Sequence, residues 1–156
     1  MIALLLLAGC TWAPAHLLGD AEHEDQFALA AHGHVLAGTA LVATHDGVAT
    51  LHALAPTGTD LFQVTVDAGG AAITSPDDDL AARLRKIPFD RDLSVLYRLR
   101  CDAPRCKAER WRLVRRPDGW RVRGPGGPAT LVRDGDRWRL TDPVRGYTLT
   151  VAEGGS

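Results

Sequence analysis

The sequence predicts a mainly β fold, a strongly curved antiparallel sheet interrupted by one small helical insert. Three observations carry that expectation. Apolar and polar residues alternate with period two along most of the chain, turn signals such as Asp46-Gly47 and Asp134-Gly135 recur between the alternating runs, and helical spacing occurs in one place only, between Asp77 and Leu99. Roughly nine strands follow from this pattern, too many strands in too few residues for two separate domains. At 156 residues, 46% apolar and 24% charged, the chain can bury one ordinary core.

The first element is not part of that core. Met1 to Leu7 is an apolar run far short of the roughly 20 residues that span a bilayer, and Leu7-Ala8-Gly9-Cys10 matches the lipobox of lipoprotein signal peptides. No Lys or Arg precedes Leu4, so the usual positive segment is missing. The expectation is a signal peptide over 1–9, acylation of Cys10, and a membrane-anchored product. Each acyl methylene buried in the bilayer contributes ~0.8 kcal/mol, so several chains hold far better than one. Thr11 in place of Asp after the cysteine resembles lipoproteins sent to the outer membrane. Residues 10–25 contain Pro14 and Gly19 and little periodicity, which reads as a lipidated tether, with order beginning near Gln26 and a domain over 26–153.

Phe27–His32, Val35–His45, Val48–Ala55 and Leu61–Asp67 are strand-like and separated by turns at Gly33, Asp46-Gly47 and Thr57-Gly58-Thr59. A short strand over Ala71–Thr74 follows Gly69-Gly70. Asp77-Asp78-Asp79 then supplies an N-cap and a negative first turn, with Leu80, Leu84 and Ile87 at helical spacing before Pro88. A second helical stretch over Asp90–Leu99 carries Leu93, Leu96 and Tyr97 on one stripe. Cys101 and Cys106 enclose four residues, a spacing that suits a small disulfide loop contributing about 2 kcal/mol at most, or two reduced thiols. No histidine lies near enough to complete a zinc site there.

From Glu109 the alternation strengthens. Trp111, Leu113, Trp120, Val122, Trp138 and Leu140 alternate with Arg110, Arg112, Arg121, Arg123, Arg137 and Arg139, so one face is aromatic and the other a basic face. Tyr147, Leu149 and Val151 close the sheet. Residues 1–80 hold ten carboxylates and no Lys or Arg, whereas 81–156 hold eighteen basic and nine acidic residues. Either the two halves attract each other, or a basic face meets anionic phosphates, lipopolysaccharide or an acidic protein. Nucleic acid is not expected as a partner of an exported, lipid-anchored protein.

The early strands are apolar on both faces, and a second apolar face needs a cover. Phe27, Leu36, Leu51, Phe62, Val64 and Trp111 from the sheet, with Leu84, Leu93, Leu96 and Tyr97 from the insert, are the candidates to line an acyl-chain cavity. A filled core beneath a helix satisfies the same periodicity.

The lipobox, Leu54-Ala55-Pro56-Thr57-Gly58 running into Leu61-Phe62-Gln63-Val64-Thr65-Val66-Asp67, the Ile87-Pro88-Phe89 segment, and Asp92-Leu93 leading to Tyr97-Arg98-Leu99 together resemble the lipoprotein-sorting proteins LolA and LolB of Gram-negative bacteria. The likeness is greatest to a LolB-like family of small lipoproteins. It implies an incomplete (half) β-barrel covered by a helical lid, which holds the acyl chains of a lipoprotein or lipid and places them in the outer membrane. A periplasmic carrier protein is then a partner, Leu61 is the residue of a membrane-insertion loop, and neither covalent chemistry nor a cofactor is needed.

Other classes have weaker support. Ser75, Ser94 and Ser156 sit in no nucleophile-elbow context, so no enzyme is expected. His32 and His34, with His45 or His52, lack a second pair at defined ligand spacing, and a solvated polar edge explains them better than a metal. The remaining alternative is a structural adaptor that docks an anionic partner through its arginines.

Overall fold

A computed structural model describes residues 11–154; the lipobox and Cys10 lie outside the described residues. Among the described residues fourteen strands occur in chain order: β1 (Ala13–Pro14), β2 (His16–Leu17), β3 (Ala21–Ala31), β4 (His34–His45), β5 (Val48–Leu54), β6 (Asp60–Asp67), β7 (Gly70–Thr74), β8 (Leu99–Arg100), β9 (Arg105–Ala108), β10 (Trp111–Arg116), β11 (Gly119–Arg123), β12 (Ala129–Asp134), β13 (Arg137–Asp142) and β14 (Tyr147–Glu153). Helices α1 (Asp78–Leu84) and α2 (Phe89–Leu93) stand between β7 and β8, and α2 runs on into a π-helical turn, Ser94–Arg98.

Twelve of the strands form one open sheet in the order β1-β9-β10-β11-β12-β13-β14-β3-β4-β5-β6-β7, antiparallel except at β1 and β9; β2 and β8 pair separately. Apart from β1, which pairs with β9, the two wings of the sheet are the two halves of the chain, joined where β14 pairs with β3 from Tyr147↔Ala31 to Glu153↔Asp25. Tight turns set the register. Asp46 and Gly47 both have positive φ, 49° and 76°, the pairing that a two-residue hairpin with right-handed strand twist requires. Between β4 and β5 the backbone comes so close at Gly38 that a Cβ there would lie 1.9 Å from the Leu54 carbonyl oxygen, beside the register shift at Ala53/Leu54.

One face carries the core. Its rows run across strands, as in Leu131, Leu140, Leu149, Leu29 and Leu36, or Val42, Leu51 and Val64, each directly opposite the next. Phe89, Leu93, Val95, Tyr97 and Leu99 add the apolar stripe of the insert to the same core. Phe62 meets Phe27 edge-on and Phe89 at a tilt, both with ring centres 6.0 Å apart, a spacing favoured by aromatic quadrupoles. The mainly β character, the open antiparallel sheet and the small helical content agree with the sequence reading.

The differences are local. Five strands were not expected: the two-residue β1, β2 and β8, whose length hides any period, and β9 and β12. β3 begins at Ala21 rather than near Gln26, and from Ala13 the expected tether lies against the sheet, because β4 extends to His45 and offers partners as far as Ala21↔Thr44. The second helix is also shorter, since the π-helical turn delivers Leu99 directly into β8. Finally, the far face of β4 is uncovered at Leu41, which is exposed.

Candidate functional site

Helix α1 forms because Asp77 caps it: its carboxylate accepts from the backbone N–H of Asp79 (2.9 Å) and Leu80 (3.1 Å), while Asp78 and Asp79 face the positive end of the helix. Leu80, Leu84 and Ile87 then lie on one side. Between them and Leu29, Ala31, Val35 and Leu36 of β3 and β4 is a half-open cavity of about 740 Å³, within the size range of small-ligand sites. Its apolar walls are bordered by Arg83, Lys86, Arg145, His32 and His34, and no carboxylate lines it.

Tyr147 closes one wall and belongs to a buried charge network. Arg91, Asp92 and Asp142 are all fully buried. The Arg91 guanidinium donates to Asp92 Oδ1 (2.9 Å), Asp142 Oδ2 (3.0 Å), the Tyr147 hydroxyl (2.9 Å) and the carbonyls of Gly126 (2.9 Å) and Gly127 (3.0 Å). Tyr147 in turn donates to Asp92 Oδ2. Asp142 Oδ1 accepts from the backbone N–H of Val144 and Arg145, and Arg145 itself donates to Asp142 and Gly126. No buried side-chain nitrogen or oxygen among the described residues lacks a partner. The network thus joins α2, the Gly126–Pro128 loop and β14 behind the cavity wall.

Burial pushes the Asp92 carboxyl up to about 6, although Arg91 and Tyr147 favour its ionised form. Asp142 is held below the usual carboxylate range, because the Arg145 backbone N–H and Arg91 outweigh the effect of burial. Burial also raises Tyr147, next to Asp92, and Tyr97, whose hydroxyl donates to Asp25 at 2.8 Å. Asp92 therefore contributes stability that is fully present below its unfolded value of about 3.9 and is lost as pH rises through about 6. The melting temperature of the parent, measured relative to Asp92→Asn, is expected to fall between about pH 4 and pH 6. A flat difference across that window would mean that Asp92 is ionised throughout, contrary to this account.

Of the residues the sequence singled out for a cavity, only Leu36 and Leu84 line this one. Phe27, Leu51, Val64, Leu93, Tyr97 and Trp111 are buried in the filled core, and Leu96 packs half-buried against it. Phe62 is buried too, beside a small surface pocket at His52 and Asp60. The space lies at one end of the sheet under α1, because α2 and the π-helical turn fill the middle. Leu61 is half-buried at the start of β6, with its carbonyl accepting from Ser75 Oγ (2.6 Å), so it is not an exposed loop tip. Cys101 and Cys106 form a disulfide, with Cys106 fully buried opposite Leu113.

Arg110, Arg112, Arg121, Arg123, Arg137 and Arg139 are all exposed. Arg110 is nevertheless engaged, paired with Asp90 (2.9 Å) and lying over the Trp111 ring. Asp20, His45 and Asp46 cluster on the surface, all exposed, with His45 Nδ1 2.8 Å from Asp20. Sequence reading missed the buried network, whose Arg91 and Asp142 lie 51 residues apart; the one available signal was an Arg-Asp pair inside an otherwise apolar helical stripe. No protein-family model matches the chain, and a search of curated proteins finds no match.

Proposed function

We propose that the chain is an envelope lipoprotein, anchored through Cys10 at the outer membrane and facing the periplasm, that binds acyl chains without catalysing a reaction. The open sheet serves as an incomplete barrel with α1 as its lid, and the protein acts in lipoprotein or lipid placement, in the manner of the LolB-like proteins that the sequence resembles. The observation that carries this reading is the apolar cavity between α1 and the ends of β3 and β4. Its walls offer aliphatic side chains for a hydrocarbon, and the cations at its mouth suit an acidic or phosphate-bearing head.

Native mass spectrometry of residues 11–156 purified from a bacterial periplasm tests the reading. Retained lipid is expected, and added palmitate should bind. Leu36→Asp, which places a charge on an apolar wall, should weaken palmitate binding tenfold or more, about the value of burying one aliphatic side chain. Ala31→Phe, which fills the same space without a charge, should act in the same direction. A clean apo mass with no uptake of palmitate or of an acylated peptide would overturn the proposal.

A further inference from the structure

The far face of the C-terminal wing shows an arrangement that the fold alone does not favour. The register places Lys107 directly opposite Arg112, and Arg112 directly opposite Arg123, across three neighbouring strands. Arg105 and Arg121 both oppose Val114 in the next row. Like charges directly opposite one another destabilise a sheet, yet all five side chains are exposed and none takes part in an ion pair among the described residues. Nor is this charge spent on the acidic half of the chain. No ion pair among the described residues joins a carboxylate before residue 80 to a Lys or Arg after it.

A second observation places an aromatic ring on the same face. Trp12 lies half-buried under the guanidinium groups of Arg105 and Arg112, 5.7 and 5.4 Å from its ring centre. It is held there because Ala13 and Pro14 pair with Cys106 and Lys107. The start of the described residues is therefore fixed to the sheet at the basic face.

We propose that this face, centred on Lys107, Arg112 and Arg123 with Trp12 at its rim, docks on a bilayer surface bearing anionic phospholipid headgroups. Arginine forks match phosphate oxygens in pairs, and tryptophan favours the boundary between headgroups and acyl chains. Headgroup phosphates remove the cross-strand repulsion that the isolated protein carries. The docking needs neither an acylated Cys10 nor an acyl ligand in the cavity, so it stands or falls separately from the function proposed above.

The test uses the full chain with Cys10→Ser, so that no acyl anchor contributes, and measures co-sedimentation with vesicles. Vesicles of phosphatidylglycerol and phosphatidylethanolamine should bind the chain far better than vesicles of phosphatidylcholine, and salt should weaken the binding. At roughly fivefold per cation, Arg112→Ser with Arg123→Ser should weaken binding on the order of 30-fold. A second pair, Lys107→Ser with Arg121→Ser, should act similarly, and Trp12→Ala should also weaken binding. Equal binding to both vesicle types, or binding unchanged by both pairs, overturns the proposal. So does release of the chain from anionic vesicles by duplex DNA at equal phosphate concentration, which would assign the face to nucleic acid.

Discussion

Replacing Arg91 with Met is expected to lower the stability of the folded chain by about 3–5 kcal/mol, measured by equilibrium urea unfolding. The side chain is fully buried, and its removal leaves the buried Asp92 carboxylate without its cation, the buried Asp142 carboxylate with Arg145 alone, and the Gly127 carbonyl without its donor. A methionine of similar length fills much of the volume, so the loss reports the unpaired charges rather than a cavity. Adding Asp92→Leu should restore part of the loss, since one of the abandoned carboxylates is then gone. A loss below about 1 kcal/mol for Arg91→Met would show that water or a rearranged side chain reaches the site and that the network is not the joint described here.

The second large effect is expected at Trp111, where substitution by Ala should cost about 3–5 kcal/mol. Trp111 is fully buried, its indole N–H donates to the Pro125 carbonyl at 2.9 Å, and Arg110 lies over its ring. The backbone at Gly124, with φ of 134°, comes so close that a Cβ there would lie 3.0 Å from the indole Cδ1, which leaves the neighbourhood little freedom to collapse onto a smaller residue. The same substitution separates core from cavity. Trp111→Ala should leave palmitate affinity near the parent value at temperatures where the variant is folded, whereas Leu36→Asp should do the reverse. If Trp111→Ala abolished ligand uptake without lowering the unfolding midpoint, the filled core and the cavity under α1 would have been wrongly distinguished.

The fold was legible wherever a period was long enough to count. The alternation around Trp111, Val122 and Leu140, the Asp46-Gly47 turn and the cap at Asp77 each depend on residues close in sequence, and each lies where local chemistry places it. β9 was hidden because its four residues begin inside a disulfide loop and include its closing Cys106, and β1 because two residues have no period; the two are stabilised by pairing with each other across some ninety residues of sequence. Position within the sheet was less legible than face. Phe27 and Leu36 alternate in the same manner, but one lies in the filled middle and the other at the open end, and that difference depends on where the insert lies, which no periodicity encodes. The charge asymmetry was plain from the sequence; that the cations line up directly opposite one another required the register.

The pairing of β14 with β3 also governs the order in which the protein can mature. These strands lie more than a hundred residues apart in sequence yet join the two wings of the sheet. As a chain emerges from a ribosome or a translocation channel, β3 to β7 and both helices are available long before β14, and Leu29 must wait for Leu149 across the seam. The cavity waits as well, because Tyr147 forms part of its wall. Until the closing strand arrives, the cavity proposed to hold an acyl chain is incomplete, so under that proposal a chain still in transit through a membrane would carry no ligand.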